Sequence, residues 1–265
     1  MELFITGFNS GLGKFLVEEF SGVKYDPRNI EQIKSATPKI VIHCGYRYPS
    51  VTDAAEALSQ MELAKESLSR ISTLEGTVKF IFISSIDVYP YFSDICFNES
   101  SSINLRDIRG VHSFLKLSLE QYVVNKFKNF LILRPALMLG NYIRDNSVTR
   151  ILTSETCKLS IESNSTFNLI SHQSVADFVQ IARNLDLTGI YNLTSSTNIS
   201  LRTIASLAGR QNIEFGKALY QTPQVDNSKV ARYCKDFDKT SEEVLRTYME
   251  SVNYRKISNL QRRNL

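Results

Sequence analysis

The chain has 265 residues, 43% apolar and 22% charged, with a net charge of +4. That length suits one α/β unit with a minor lobe, and the composition is that of a globule able to bury about three-quarters of its unfolded surface. The excess of basic over acidic residues equals the four basic residues of the C-terminal stretch, Arg255, Lys256, Arg262 and Arg263, so the body is neutral and a nucleic-acid-binding face is not expected.

No apolar run reaches the roughly 18 residues that cross a bilayer, and MELFITGFNSG has neither the basic n-region nor the cleavage site of a signal peptide. Cys44, Cys96, Cys157 and Cys234 lie far apart with no CxxC pair, which argues against a metal site and a disulfide framework. The expectation is a cytoplasmic protein with no membrane partner, its basic tail either a solvated terminus or a contact for a phosphate polymer or an anionic partner.

In chain order, Leu3 to Thr6 reads as a strand and Leu12 to Phe20 as an amphipathic helix. Val23 to Tyr25 reads as a very short strand closed by Asp26-Pro27. Lys39 to Cys44 and Val78 to Ser84 are continuous apolar runs of the kind buried on both faces of a sheet. Between them Val51 to Thr73 is a long helix, and Asp107 to Lys126 is another, followed by a strand at Phe130 to Arg134. A helix over Gln173 to Leu185, a strand at Ile190 to Leu193 and a helix from Ser200-Leu201 to near Gly209 complete the pattern. Strand–helix alternation at this spacing predicts an α/β fold with a doubly wound parallel sheet. Residues 1–139 with 173–209 are expected to form a dinucleotide-binding Rossmann domain, and 140–172 with 210–265 a small substrate lobe.

The turn after the first strand reads Thr6-Gly7-Phe8-Asn9-Ser10-Gly11-Leu12-Gly13. Glycines there permit a tight turn, close approach of a pyrophosphate to the backbone, and close packing of helix on strand. The first turn of the following helix offers N–H groups and a partial positive charge to phosphate. Asp26, 19 residues after Gly7, is the best acid for an adenosine ribose, while Arg28 and Lys24 suit a 2′-phosphate instead. NAD and NADP therefore both stay open.

The chain resembles the extended short-chain dehydrogenase/reductases, the nucleotide-sugar epimerases, dehydratases and reductases. TGFNSGLG resembles their glycine motif, although its TGxxxGxG spacing is that of the non-extended branch, and IVIHCGYR resembles their strand ending in a His-x-Ala-Ala-like turn. FIFISSIDVYP, LRPALMLG, SHQSVADFVQ, GIYNLTSSTNISLRTIASL and VDNSKVARYCKDF resemble, in order, five later segments of the family. The stretch between Gly13 and Asp26 is shorter than the family norm by a strand–helix unit, a compaction most like the dTDP-4-dehydrorhamnose reductase branch. On that alignment Asp26 would meet the adenine edge and not the ribose.

The resemblance implies a dinucleotide held by Gly7 to Gly13, Asp26, Cys44, Gly45, Ser84, Lys116 and Pro135, and a nucleotide sugar bound near Tyr46, Arg47, Asn141 and Arg144. It also implies a catalytic Ser or Thr, matched by Ser85, and a Tyr-x-x-x-Lys helix. Here His112 stands in the tyrosine position, four residues before Lys116. Tyr122 and Lys126 repeat the tyrosine spacing ten residues late. A histidine suits proton transfer near neutrality, and a lysine beside it would favour the neutral ring. Alternatively the acid is lost and Lys116 is kept for ribose binding.

Asp87 follows Ser85 where the dehydratases carry the second of two acidic residues, and Ile86 replaces the first. It is read as a proton-handling group or as a hydrogen-bonding strand end. His43 and His172 are read as structural. The functional expectation is hydride transfer between NAD or NADP and a nucleotide-linked sugar, by a chain whose long helices suit a homodimer. The alternative is a degenerate dinucleotide-binding protein with a regulatory or scaffolding role.

Overall fold

The computed structural model describes residues 2–29, 31–32, 37–45, 54–74, 78–92, 94–154 and 156–263. Its first half runs β1 (Leu3–Thr6), α1 (Gly11–Phe20), β2 (Val23–Lys24), β3 (Ile40–His43), α2 (Ala54–Ser72), β4 (Lys79–Ile83), β5 (Cys96–Phe97) and α3 (Gly110–Lys126). Then come β6 (Phe130–Pro135), β7 (Leu137–Leu139), α4 (Ser147–Thr153), β8 (Cys157–Lys158), β9 (Thr166–Phe167), β10 (Leu169–Ser171), α5 (His172–Asn184) and β11 (Gly189–Leu193). The chain ends with β12 (Ile199–Ser200), α6 (Leu201–Leu207), β13 (Ile213–Glu214), β14 (Gln224–Val225), α7 (Ser228–Ala231) and α8 (Ser241–Arg263).

Six strands pair in the order β11-β6-β4-β3-β1-β2, every pair parallel. This is the doubly wound sheet the alternation predicts. β1, β3 and β4 are buried at every position, which is why they read as unbroken apolar runs. On one face α1 and α5 pack Leu16, Phe178 and Val179 against Ile5, Ile42 and Ile81. On the other, α2 and α3 bring Leu68, Ile71, Leu119 and Val123 onto Phe4, Val41, Phe80 and Phe82. Phe80 also stacks on Phe127 with ring centroids 4.0 Å apart. Each such side chain contributes about 1.5–3 kcal/mol by leaving water, so truncating Ile42 or Phe82 to Ala is expected to cost several kcal/mol.

The chain leaves β1 on one side for β2 and on the other for β3, so the strand order reverses at β1. In open α/β sheets ligands bind at that crevice, beyond the carboxyl ends of the strands. The register Leu3↔Ile40 through Thr6↔His43 puts the ends of β1 and β3 level there.

Smaller elements depart from the sequence pattern for local reasons. α3 opens at Gly110 and not near Asp107, because Arg109 is extended and Gly110 takes φ +75. The residues before it form a separate 3-10 turn, Leu105–Asp107, capped by the Asn104 side chain on Arg106 N (3.1 Å). The basic tail continues the backbone of α8 to Arg263.

A second core holds Leu139, Val148, Ile151, Leu169, Leu201 and Leu245. Around it β7 pairs with β10, β8 with β13 and β9 with β12. α6 packs in this second core, whereas Val230 and Ala231 of α7 pack against the main sheet.

Candidate active site

The turn after β1 is built on glycines for steric reasons. Gly7 sits at φ +68, and a Cβ there would lie 2.6 Å from the carbonyl carbon of Cys44. A Cβ on Gly13 would lie 2.3 Å from Gly7 O, so α1 can start this close to β1 only without a side chain. Thr6 closes the crevice floor: its hydroxyl accepts from Gly45 N (3.1 Å) and meets His43 Nδ1 at 2.8 Å. The hydroxyl keeps its proton for His43 Nδ1 while it accepts from Gly45, provided the ring is neutral with Nδ1 unprotonated. Burial holds His43 neutral, its pKa pushed down to about 3, which fits an accepting Nδ1.

Two cavities are lined by this turn, the first by Thr6 to Asn9 and the second by Ser10 to Gly13. The smaller, about 300 Å³, is lined by Gly7, Phe8, Asn9, Gly45, Asp26 and Arg28, with Arg70 of α2 at its side. Asp26 and Arg28 form a fork: Arg28 Nε donates to Asp26 Oδ1 (3.0 Å) and Nη2 to Oδ2 (2.8 Å). That pairing holds the Asp26 carboxyl below the usual carboxylate range.

The larger cavity, about 710 Å³, runs from Ser10, Gly11, Leu12 and Gly13 past Cys44 to the ends of β4 and β6, where Ser84 and Pro135 lie. Ser85, Asp87, His112, Lys116 and Arg144 all face it. Ser85 caps the 3-10 turn Ile86–Val88 by accepting from Asp87 N at 3.1 Å. Its hydroxyl donates back to Asp87 Oδ2, also at 3.1 Å. Burial pushes the Asp87 carboxyl up, against the hydrogen bonds from Tyr220 and Ser85.

Lys116 is buried and donates from Nζ to Ile83 O at 2.8 Å; burial brings its pKa down to about 8. His112, one helical turn earlier, is lowered to about 4 by burial and then by Lys116. Its ring is neutral at physiological pH. Cys44 is pushed up to about 12 by burial, a thiol and not a thiolate. Arg144 reaches from the loop after β7 to put Nη2 3.2 Å from Ser10 Oγ, at the start of α1.

The structure thus gathers most of the sequence-derived residues around one crevice. Asn141 is exposed and lines neither cavity, and Tyr46 and Arg47 lie outside the described residues. Sequence reasoning missed Tyr220. It sits in an irregular stretch between β13 and β14, yet its hydroxyl donates to Asp87 Oδ1 at 2.9 Å inside the larger cavity. No local pattern marks such a residue, because its partner is 133 positions away.

No protein-family model and no curated protein matches the sequence. Solved structures do match. MoeE5 in complex with UDP-glucuronic acid and NAD aligns with TM-score 0.78 at 15% identity, over 96% of this chain and 99% of that one. The dTDP-4-dehydrorhamnose reductase of Bacillus anthracis in complex with NADP aligns with TM-score 0.74 at 20% identity, over 95% of this chain and all of the other (100%). UDP-glucuronic acid 4-epimerase of Bacillus cereus, with UDP-glucuronic acid and NAD, gives 0.72 at 16%, over 95% and 100% of the two chains. At these identities what is shared is the fold, and the six-stranded parallel sheet with flanking helices is the Rossmann-like arrangement that the motif resemblance implies.

Proposed function

We propose that this chain is an NAD(P)-dependent oxidoreductase or epimerase acting on a nucleotide-linked sugar in the cytoplasm. The observation that carries this reading is the pair of cavities that divide the β1–α1 glycine turn between them, Gly7 to Asn9 lining the smaller and Ser10 to Gly13 the larger, with Ser85 and Lys116 lining the larger one as well. The turn fits a dinucleotide: Gly7 and Gly13 lack the Cβ atoms that would fill it, and Ser10 at the start of α1 makes no side-chain cap bond. The N–H groups of that first turn suit a pyrophosphate.

The smaller cavity would take the adenosine end beside Asp26 and Arg28, and Lys116 would hold the nicotinamide ribose from the larger one. A bound nicotinamide supplies hydride transfer at a sugar carbon. The chain's part is to hold and deprotonate, or reprotonate, the oxygen on that carbon, and Ser85 is placed to hydrogen-bond it. Arg144 brings a guanidinium to the phosphate end, suited to the diphosphate of a sugar nucleotide. The volume of the larger cavity, about 710 Å³, accommodates such a ligand. The likeness to structures that hold nucleotide sugars and NAD supports the same substrate class.

A homodimer belongs to this reading. α2 and α3 lie side by side, and Leu58, Phe114 and Val124 are exposed on them. A second copy covering these side chains would remove apolar surface from water.

Titration with NADH and NADPH, followed through cofactor fluorescence, tests the reading, and a chain without tryptophan gives little background. Saturable binding of one form is expected, followed by turnover within a panel of UDP- and dTDP-linked hexoses. Failure of both cofactors to bind the folded protein overturns it.

A further inference from the structure

We propose that Ser85, Asp87 and Tyr220 form the proton relay of this site, with Asp87 as terminal acceptor and Tyr220 as the residue that positions it from the second lobe. The inference rests on the oxidoreductase reading above and assigns the proton transfer that a tyrosine on α3 would otherwise perform.

The three side chains form an unbroken hydrogen-bonded row. Ser85 Oγ donates to one oxygen of Asp87 at 3.1 Å, and Tyr220 Oη donates to the other at 2.9 Å. All three face the larger cavity. The serine oxygen has two lone pairs, one engaged by Asp87 N, so it has an acceptor to offer a substrate hydroxyl.

The rest of the structure fixes Tyr220 where it is. Its ring stacks on Phe167 at 4.9 Å, its N–H donates to Ser165 Oγ (3.1 Å), and its carbonyl accepts from Thr166 N (3.0 Å). Thr222, two residues on, donates from its hydroxyl to Thr166 O (2.8 Å). A phenol tied down on both sides and aimed at a carboxylate across the lobe boundary is a built feature of the site.

In the oxidative direction the substrate's O–H bond breaks and its proton passes to Ser85 Oγ. Ser85's own proton passes at the same time to Asp87 Oδ2, leaving a neutral carboxylic acid. An oxidised nicotinamide dinucleotide, when bound, would supply the acceptor for the hydride from the same carbon, so that charge and electrons balance; in reduction the row would run backwards. Asp87 must be ionised to accept, and burial places its titration above the ordinary carboxylate range. Tyr220 and Ser85 are the groups hydrogen-bonded to it. The other titratable groups on the cavity are His112 and Lys116 from α3, Arg144 and Asp145 from the loop after β7, His172 at the start of α5, and Cys44 after β3.

The test begins on the protein without ligand. Carbon-13 NMR of the Asp87 carboxyl, assigned with Asp87→Asn, should show a raised midpoint, and Tyr220→Phe should raise it further by about one pH unit, because a hydrogen bond donated to the charged form is lost. A midpoint unmoved by Tyr220→Phe overturns the positioning role. NADH affinity within about threefold of wild type certifies that each variant folds.

On the sugar nucleotide selected from the panel above, kcat/KM for oxidation should fall below the Asp87 midpoint. Asp87→Asn should remove that limb and lower kcat at least about 100-fold with little change in KM. Asp87→Glu should restore the limb in part, and Tyr220→Phe should move it to higher pH. A limb that survives in Asp87→Asn and vanishes in His112→Ala overturns the relay in favour of His112. Bound NADH with no turnover anywhere in the panel overturns the relay and leaves the dinucleotide site standing, whereas absence of NADH binding overturns the oxidoreductase reading itself.

Discussion

Glu120 and Arg134 meet side-on in the interior, Arg134 Nη2 lying 2.6 Å from Glu120 Oε2 and Nε 3.0 Å from Oε1. Both are buried. Ser84 donates to the same Glu120 oxygen that Nε reaches, and Arg134 Nη1 donates to the Tyr89 hydroxyl at 2.6 Å. The network ties α3, which carries Lys116, to the end of β4, which leads into Ser85.

Breaking one half of such a pair leaves the other charge buried without compensation. Glu120→Ala is therefore expected to cost about 3–5 kcal/mol, whereas Glu120→Leu combined with Arg134→Met should recover most of it. Urea unfolding of the two variants checks this. Equal losses in the single and double variants would show that packing, and not the stranded charge, dominates.

How much of this was legible in the sequence depended on the range of the interaction. The main strands other than the exposed two-residue β2, and the helices between them, are local in origin: burial on both faces writes itself as an apolar run, and a single buried face as helical spacing. The glycine turn was legible for the same reason, since close backbone approach requires Gly7 and Gly13 whatever the rest of the chain does. Tyr220 and the Glu120–Arg134 pair were not. Their meaning lies in partners brought together by the topology, and a tyrosine in an irregular stretch carries no period. The paired strands of the second lobe, two or three residues each, are too short to show an alternation.

Gly13→Ala separates the cofactor turn from backbone strain in general. Its Cβ would collide with Gly7 O at 2.3 Å, and the turn must open to admit it. NADH affinity is expected to fall at least about tenfold, because the first-turn N–H groups move with the helix start. Gly209→Ala is the comparison: φ is +64 there but nothing lies within 4 Å of the new Cβ. It should cost about 1–2 kcal/mol of stability with NADH affinity unchanged. Fluorescence titration and urea melts on both variants decide; unchanged NADH binding in Gly13→Ala would remove the glycine turn from the cofactor site.

Asp26 is expected to set the preference between the two dinucleotides. Its carboxylate offers acceptors to a ribose hydroxyl and at the same time neutralises Arg28. Asp26→Ala removes the acceptors and frees a guanidinium that suits a 2′-phosphate. The affinity ratio for NADPH over NADH should rise at least about tenfold, and Arg28→Ala should move it the other way. Ratios unchanged in both variants would place the adenosine elsewhere than the smaller cavity.

The chain's three histidines make stability fall with acid over a defined window. His43 is lowered to about 3, and His112 and His172 each to about 4, in every case by burial first. Above the ordinary value of 6.5 all three are neutral in both folded and unfolded chains, and contribute nothing to pH dependence. Below it the unfolded chain takes up protons that the folded one refuses, so stability drops as pH falls from 6.5 toward the folded values. The slope is about 1.4 kcal/mol per pH unit for each such group once the unfolded form is charged. His112→Gln should remove one share of it, measured by urea unfolding between about pH 5.5 and 4.5, where carboxylates titrate alike in both proteins. An unaltered slope would mean that His112 charges within the folded protein, and its imidazolium would then be available to give a proton to the substrate oxygen in competition with the Ser85–Asp87 row.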